Sequence, residues 1–167
     1  MSTAEHRSGA SGLTARCAVI TCSDSRTKET DTSGALIVDS IRAAGHSLEG
    51  YRVIPDDAQT VSEEIGRLVA GGIDVILLTG GTGITSRDVT VDTVSAMLDK
   101  ILPGFGELFR MLSWKEIGPA SMLSRATAGT IGRTLVFCLP GSTNAVRLAL
   151  ESLILPELRH LVRELRR

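Results

Sequence analysis

The stretch VILLTGGTG, residues 75–83, decides the fold of this 167-residue chain. Its first five residues show no alternation of apolar and polar side chains, which predicts a strand covered on both faces, as in a parallel sheet. The glycine-rich turn follows at the carboxyl end of that strand, the edge at which open α/β sheets bind ligands. The stretch therefore predicts an α/β domain with a site at this edge.

Short apolar segments alternate with helical patterns on both sides of this strand, as in a sheet with helices on its faces. Further strands are predicted at residues 17–21, 48–54, 125–130 and 134–139. The last two are separated by Ile131-Gly132-Arg133, a spacing that favours a hairpin and one antiparallel strand. We expect a three-layer α/β/α sandwich with a mixed, mostly parallel sheet.

Helix signals fill the intervals between these strands. The predicted spans, with their caps and stops, are residues 32–45, 60–71, 90–98, 104–112, 142–150 and 157–166. Thr32 or Ser33 is expected to cap the first helix and Thr60 the second, and Ser142 opens the fifth. Pro156 marks a break before the last helix, because proline removes a helical hydrogen bond.

The charge balance argues against a polyanionic partner. Lys and Arg number 18 against 19 Asp and Glu, and a net charge of −1 provides no basic field for nucleic acid. The three cysteines lie in apolar runs without zinc-site spacing, and no apolar run is long enough to span a membrane. We expect a cytoplasmic protein with a disordered tail at residues 1–14 and one domain at residues 15–167.

Polar or glycine-rich residues follow each of the four strands predicted to be parallel. The carboxyl ends of parallel strands share one edge, so these loops should build one pocket. Successive N–H groups of a glycine loop can hold a phosphate, and threonine hydroxyls add donors. The alternative is an ordinary glycine turn with Arg87 and Asp88 in solvent. The candidate binding residues are Ser23, Asp24, Thr79, Gly80, Gly81, Thr82, Gly83, Pro140, Gly141 and Ser142.

Acidic side chains gather at the same edge. Asp56 and Asp57 follow the second strand, and Asp88 follows the glycine loop. Carboxylates repel a phosphate unless a hard cation such as Mg²⁺ bridges them. The pattern points to a nucleotide with its metal, although a Pro-Asp pair is also common in simple turns.

Other residues give weaker signals. Glu107 either faces the pocket or lies at a helix start, where an acid is favourable in any case. His6, His46 and His160 lie away from the strand ends and are predicted to be surface residues. Two further sets have structural interpretations: Arg159, Arg163, Arg166 and Arg167 as helix-dipole partners on a solvated face, and Phe105, Phe109, Met111 and Trp114 as core or subunit-interface residues.

Several segments together resemble a known family. They are TGGTG at 79–83 with RDVT at 87–90, PGFGELFR at 103–110, SWKEIG at 113–118, SRATAG at 124–129 and LPGST at 139–143. In this order they resemble the MoaB/MogA family of molybdenum cofactor biosynthesis proteins, and DTSG at 31–34 favours the MoaB branch. The resemblance covers roughly residues 16–161.

The resemblance implies a molybdopterin-binding, MogA-like domain that adenylylates the terminal phosphate of molybdopterin with Mg-ATP, releasing pyrophosphate. Family members hold the pterin in the loop that matches residues 79–83 and in adjoining strand-end loops. They rely on acids matching Asp56 and Asp88, which would be catalytic and would bind Mg²⁺. A homo-oligomer is also implied, with a hexamer favoured over a trimer, as are contacts with other molybdenum cofactor biosynthesis proteins.

Two other functions stay open. A non-catalytic carrier or scaffold would bind molybdopterin and pass it to a partner. A third function is another nucleotide reaction in the same pocket. Adenylyl transfer is the leading hypothesis, because Asp56 and Asp88 are both present beside a complete glycine loop.

Overall fold

The computed structural model describes residues 12–167. Six strands form one sheet in the order β2-β1-β3-β6-β5-β4. The strands are β1 (Arg16–Cys22), β2 (Ser47–Ile54), β3 (Val75–Thr79), β4 (Lys100–Ile101), β5 (Thr127–Ile131) and β6 (Thr134–Leu139). The helices are α1 (Thr32–Ala43), α2 (Ala58–Ala70), α3 (Thr90–Met97), α4 (Pro103–Ile117), α5 (Thr143–Ala149) and α6 (Leu155–Arg166), with a 3-10 helix at Gly118–Leu123 and a π-helical segment at Leu150–Ile154.

The sheet is mixed and mostly parallel, which confirms the predicted fold class. Strands β1, β2, β3 and β6 run parallel, and β5 is antiparallel to β6 and β4. The chain moves outward from β1 to β2 in one direction and from β3 to β6 in the other. The order of strands therefore reverses between β1 and β3, and the loops after these two strands border a crevice suited to a ligand.

Two apolar layers cover the sheet. One contains Ile37 and Ile41 of α1 with residues of α4, α5 and α6, and the other contains Ile65 of α2 and Val94 of α3. All five residues of β3 are buried, as the lack of alternation predicted. The cysteines are buried too, and burial raises the pKa of the Cys17 and Cys22 thiols to about 12. These thiols are core groups, as the sequence indicated.

Aspartates cap the first two helices, where the sequence analysis expected hydroxyl residues. The Asp31 side chain accepts a hydrogen bond from the Gly34 N–H at 2.9 Å, and Asp57 accepts one from the Thr60 N–H at 2.8 Å. The predicted caps at Thr32 or Ser33 and at Thr60 were therefore wrong by up to three residues. An ionised carboxylate interacts more favourably than a hydroxyl with the positive end of a helix.

The predicted break at Pro156 is replaced by a continuous helical path. Leu155 N–H donates to Leu150 O across the π-helical segment, five residues back instead of four. The helical hydrogen bonds thus lengthen by one residue just before Pro156. Proline has no N–H, so it needs no carbonyl partner in the turn before it. Pro156 therefore lies in the first turn of α6 and does not end the helix.

Other differences reflect short or exposed segments. Strand β4, only two residues long, was not predicted, and α4 extends to Ile117. Met111 and Trp114 are exposed and so do not belong to the core of this chain, and their placement at a subunit interface stays a prediction. Residues 1–11, with His6, lie outside the described residues, whereas Leu13 packs against the core. No helix among residues 12–167 has the length and apolar character of a membrane span.

The arginines of the last helix make specific contacts instead of only facing solvent. Arg159 donates through Nη2 to Ala44 O at 2.8 Å and through Nε to Leu13 O at 3.1 Å. Arg166 donates to Asp74 at 2.7 Å. These bonds hold α6 against the amino-terminal edge of the sheet.

His46 is buried, not a surface residue as predicted. Its ring is 6% exposed, and Nδ1 accepts a hydrogen bond from the Ala15 N–H at 3.1 Å. Burial and the nearby Arg159 guanidinium lower the pKa of His46. The folded protein therefore keeps this imidazole neutral to a lower pH than the unfolded chain does.

The stability of the protein is expected to fall as pH drops below about 6.5, the pKa of an unperturbed histidine. Below that value His46 is protonated in the unfolded chain but stays neutral in the folded protein, where its pKa is lower. Acid therefore favours unfolding. Between pH 8 and pH 5.5, the free energy of unfolding measured in urea should fall more for wild type than for His46→Gln. An equal change in the free energy of unfolding for wild type and His46→Gln would refute the assignment.

Candidate functional site

A cavity of about 360 Å³ lies at the reversal of strand order between β1 and β3, and we call it the switch-point cavity. The ends of these two strands, the start of α1 and the loop after β6 surround it. Its lining residues are Thr21, Cys22, Ser23, Arg26, Asp31, Ser33, Thr79, Gly80, Gly81, Gly141 and Ser142. Six predicted binding residues thus meet here: Ser23, Thr79, Gly80, Gly81, Gly141 and Ser142.

Gly80 and Gly81 shape the wall of this cavity. Their φ angles are +95° and +61°, a region that side chains rarely tolerate. A Cβ on Gly80 would collide with the Cys22 carbonyl, and one on Gly81 would collide with the side chains of Asp56 and Thr90. The backbone must approach these groups closely, so both positions require glycine.

Not every predicted donor of the loop is available to a ligand. The Thr79 hydroxyl donates to Pro140 O at 2.8 Å, and the Gly80 N–H donates to Leu139 O at 3.2 Å. Both groups join β3 to the end of β6. Thr82 is buried, but it is not among the residues that line the cavity, which end at Gly81 in this loop. A phosphate would therefore depend on the amides after Gly80.

Asp31 forms the floor of the cavity, although the sequence analysis named it only as part of a motif. Its carboxylate accepts hydrogen bonds from the Thr21 hydroxyl and the Tyr51 hydroxyl, each at 2.5 Å, and from the Gly34 N–H. Burial opposes ionisation, but these three donors outweigh it and lower the pKa of Asp31. The buried charge is thus satisfied internally and fixes the start of α1.

Asp56 lies against the glycine loop, where its negative charge is unfavourable. It accepts a hydrogen bond from the Thr90 hydroxyl at 2.8 Å. Burial, together with the neighbouring carboxylates of Asp88 and Asp24, raises the pKa of Asp56. A cation placed among these carboxylates would relieve this repulsion.

Asp88 has the opposite environment. Its carboxylate accepts hydrogen bonds from the Thr85 hydroxyl at 2.6 Å and the Thr85 N–H at 2.9 Å. These bonds lower the pKa of Asp88, so it stays ionised. The carboxylate also lies beside Gly83, where a Cβ would approach it to 2.6 Å. Asp56 and Asp88 therefore both border the glycine loop, as predicted from the sequence.

The other two acids of the edge have structural partners. Asp24 forms an ion pair with Arg87 and accepts a hydrogen bond from the Asp56 N–H at 3.3 Å. Asp57 caps α2. Asp24 thus ties the loop after β1 to the loop after β3, and it does not line the switch-point cavity.

A second cavity, of about 280 Å³, lies between α3, α4 and the start of β5, and we call it the α4 cavity. Its lining residues are Val91, Ser95, Leu102, Pro103, Gly106, Glu107, Arg110, Arg125, Ala126 and Thr127. Glu107 lies here and not in the switch-point cavity. The two cavities lie near each other: Gly81 lines the first and packs against Thr90, and the next residue in the chain, Val91, lines the second. The structure divides the single expected pocket into two neighbouring ones.

The donor set fits a magnesium ion held together with a ligand. Among residues 12–167 no three His, Cys, Asp or Glu side chains come together as a metal cluster. Asp56 and Asp88 provide two carboxylates, and Mg²⁺ is usually bound by one or two carboxylates together with substrate phosphates. These residues would hold the ion only when a phosphate ligand completes its coordination.

Known proteins resemble this chain over its whole length. The family model described as "Probable molybdopterin binding domain" matches residues 18–160. Molybdenum cofactor biosynthesis protein B of Bacillus cereus is 51% identical and covers 100% of this chain and 99% of its own length. The crystal structure of a Molybdenum cofactor biosynthesis protein B, also 51% identical, has a TM-score of 0.86 over 92% of this chain and 97% of that one.

A more distant structure preserves the same fold. The tungsten cofactor synthesizing protein MoaB from Pyrococcus furiosus is 38% identical, with a TM-score of 0.84 over 94% of this chain and 100% of that one. The fold is that of the molybdopterin-binding class of α/β domains. Within this class the chain belongs to the MoaB/MogA family of molybdenum cofactor biosynthesis proteins. The family resemblance noted in the sequence is thereby confirmed.

Proposed function

We propose that this protein binds molybdopterin and transfers the adenylyl group of ATP to its terminal phosphate. The observation that carries the proposal is the placement of Asp56 beside Gly81 and of Asp88 beside Gly83, in the glycine loop that borders the switch-point cavity. Adenylyl transfer needs two anionic substrates that meet at one point with their charge compensated. Two neighbouring cavities, with Asp56 and Asp88 against the glycine loop at the edge of the first, meet that need.

The α4 cavity suits the pterin ring. Val91, Leu102 and Ala126 provide apolar walls for a flat ring system. A carboxylate such as that of Glu107 accepts hydrogen bonds from the amino and ring N–H groups of a pterin, and a guanidinium donates to its carbonyl oxygen. We assign this cavity to the pterin ring, which departs from the expectation that the loop at residues 79–83 holds the pterin, and the phosphate of molybdopterin would then reach toward that loop.

The switch-point cavity suits the nucleotide. Its wall offers backbone groups near Gly81 and the cationic side chain of Arg26. Both favour an anionic phosphate chain without a basic surface, in agreement with the net charge of −1. The two substrates would then approach each other across Gly81, next to Asp56.

The reaction requires no nucleophilic side chain. An oxygen of the terminal phosphate of molybdopterin forms a bond to the α-phosphorus of ATP. The bond from that phosphorus to the oxygen bridging the α and β positions breaks, and pyrophosphate leaves with the electron pair. Mg²⁺ held at this point would supply positive charge that compensates the phosphates. The loop amides orient the phosphates, and Asp56 and Asp88 hold the cation.

The test is direct assay of the purified chain. Incubation with Mg-ATP and molybdopterin should yield equal amounts of adenylyl-molybdopterin and pyrophosphate, measured by mass spectrometry and a coupled phosphate assay. ATP without the pterin should give no pyrophosphate, which separates this function from another nucleotide reaction. Absence of product from wild type would reject the proposal.

A carrier function is the second candidate, because several polar groups of the site are already satisfied within the protein. Asp24 is paired with Arg87, and the Thr79 hydroxyl is bound to Pro140 O. A carrier would bind molybdopterin with equal affinity whether ATP is present or absent and after EDTA treatment. Calorimetry under these conditions distinguishes it from the transferase.

A further inference from the structure

Arg125 connects the α4 cavity to the turn that carries Asp88. Its Nη2 donates to the Asp88 main-chain oxygen at 2.9 Å, and its Nη1 lies 3.0 Å from both carboxylate oxygens of Asp92. The side chain is only 31% exposed and lines the α4 cavity. One guanidinium therefore touches both the proposed pterin cavity and the peptide of a proposed metal-binding residue.

The turn around Asp88 has few other attachments to the sheet. The Asp88 carboxylate and N–H both bond to Thr85, inside the same turn, and residues 84–87 are exposed. Such a turn is a compact unit whose orientation depends on what holds it from outside. Two contacts supply that hold: the ion pair of Arg87 with Asp24, and the bond that Arg125 donates to Asp88 O across 37 residues of sequence.

The guanidinium also has an unused donor. The Nε atom of Arg125 is buried and has no hydrogen-bond partner among the described residues. Buried donors without a partner are rare in folded proteins and call for an explanation. Because Nε is covered, an acceptor atom of a ligand in the α4 cavity would satisfy it only if binding shifts this side chain, while Nη2 keeps its bond to Asp88.

We propose that Arg125 is a positioning residue that couples occupancy of the α4 cavity to the placement of Asp88. The inference rests on the proposed function, since it takes a pterin as the ligand of this cavity. Binding of the ligand to Nε would fix the guanidinium, and the fixed guanidinium would hold the Asp88 turn where its carboxylate meets the metal. A positive charge alone would not provide this coupling, because Nε and Nη2 of the same guanidinium would each bind a different partner.

Hydrogen–deuterium exchange tests this coupling without requiring activity. In wild type, molybdopterin should slow amide exchange in residues 85–91. In Arg125→Gln the same segment should exchange faster than in wild type, and molybdopterin should no longer slow it. Arg125→Lys, which keeps the charge but lacks the planar fork, should behave like Arg125→Gln. Unaltered exchange of this segment in both variants would overturn the proposal, and the lysine variant covers the case in which glutamine prevents folding.

Kinetics provide a second readout. Arg125→Gln is expected to lower kcat about 10- to 100-fold, the order of loss that follows from misplacing a catalytic group by a fraction of an ångström to an ångström. KM for ATP should stay within about twofold, because Arg125 does not line the switch-point cavity, and the Mg²⁺ concentration for half-maximal rate should rise. Equal changes in kcat and in KM for ATP would contradict a positioning role.

The matched control is Asp92→Asn, which alters only the exposed partner of the same guanidinium. Asp92 is 69% exposed, and exposed ion pairs contribute little. This variant should therefore resemble wild type in both measurements, and a loss as large as that of Arg125→Gln would contradict the bridge to Asp88. If wild type shows no adenylyl transfer, the proposed function fails, and the exchange data still decide whether Arg125 holds the Asp88 turn.

Discussion

Asp56→Asn is expected to lower adenylyl transfer by about 100- to 1,000-fold while leaving the protein folded, a loss of the size seen when one electrostatic contact to a transition state is removed. The asparagine amide keeps an oxygen that can accept the Thr90 hydrogen bond but loses the charge that holds a cation. Rates are measured in single turnovers at saturating Mg-ATP and molybdopterin. A rate within about twofold of wild type would exclude Asp56 from the reaction.

The same substitution is expected to raise, not lower, the stability of the protein. The raised pKa of Asp56 shows that the fold disfavours its ionised form, because burial and the charges of Asp88 and Asp24 act against it. At neutral pH, removing that charge therefore relieves a cost to the folded state. Thermal unfolding should show a melting temperature at or above that of wild type, which separates loss of function from loss of fold.

Asp57→Asn is the matched control for Asp56→Asn. It makes the same chemical change at the adjacent residue, where the carboxylate caps α2 by accepting from Thr60. Asparagine is nearly as good a cap as aspartate, so the helix should persist. Adenylyl transfer should remain near the wild-type rate. Comparable losses in the two variants would indicate a general effect of charge.

Gly81→Ala is expected to cause a large loss of function although it adds only a single carbon atom. The residue has φ +61°, and its new Cβ would collide with the carboxylate of Asp56 and the hydroxyl of Thr90. The backbone strain alone costs about 1–2 kcal/mol, and displacement of Asp56 removes the metal-binding geometry. We expect a loss of adenylyl transfer of at least about 100-fold together with lower stability in urea.

Gly66→Ala is its matched control. Gly66 lies inside α2, and no atom comes within 4 Å of a Cβ built there. Alanine should stabilise this helix by about 0.5–1 kcal/mol and leave the reaction unchanged. If Gly81→Ala were as active as Gly66→Ala, the close packing of the glycine loop against Asp56 would have no part in the function.

The sheet and the edge that carries the site could be predicted from sequence, because both depend on local patterns. The unbroken apolar character of β3 indicates a central strand, and the hairpin spacing around Gly132 indicates an antiparallel neighbour. The positions of Asp56 and Asp88 beside the glycines followed from the rule that parallel strands end at one edge. These features need no knowledge of which side chains touch.

The division of the site into two cavities could not be predicted in this way. The rule that parallel strands end at one edge brings the loops together there. It does not show that Glu107 of α4 lines a separate cavity. Arg125 was missed for the same reason, since its partner Asp88 is 37 residues away and the contact depends on the packing of β5 beside α3. Asp31 left a detectable signal, because an aspartate three residues before Gly34 is a common helix cap.

The π-helical segment at Leu150–Ile154 sets the rotational phase of everything that follows it. Each residue of an α-helix advances the direction of its side chain by about 100°, so one extra residue accommodated in a wider turn rotates all later positions by that angle. With this offset Leu158 and Val162 are buried, and Arg159 reaches Ala44 on the neighbouring side of the helix. Shortening this segment by one residue would turn the apolar stripe of α6 toward water and separate it from α1. The wide turn therefore determines which face of the last helix packs against the domain.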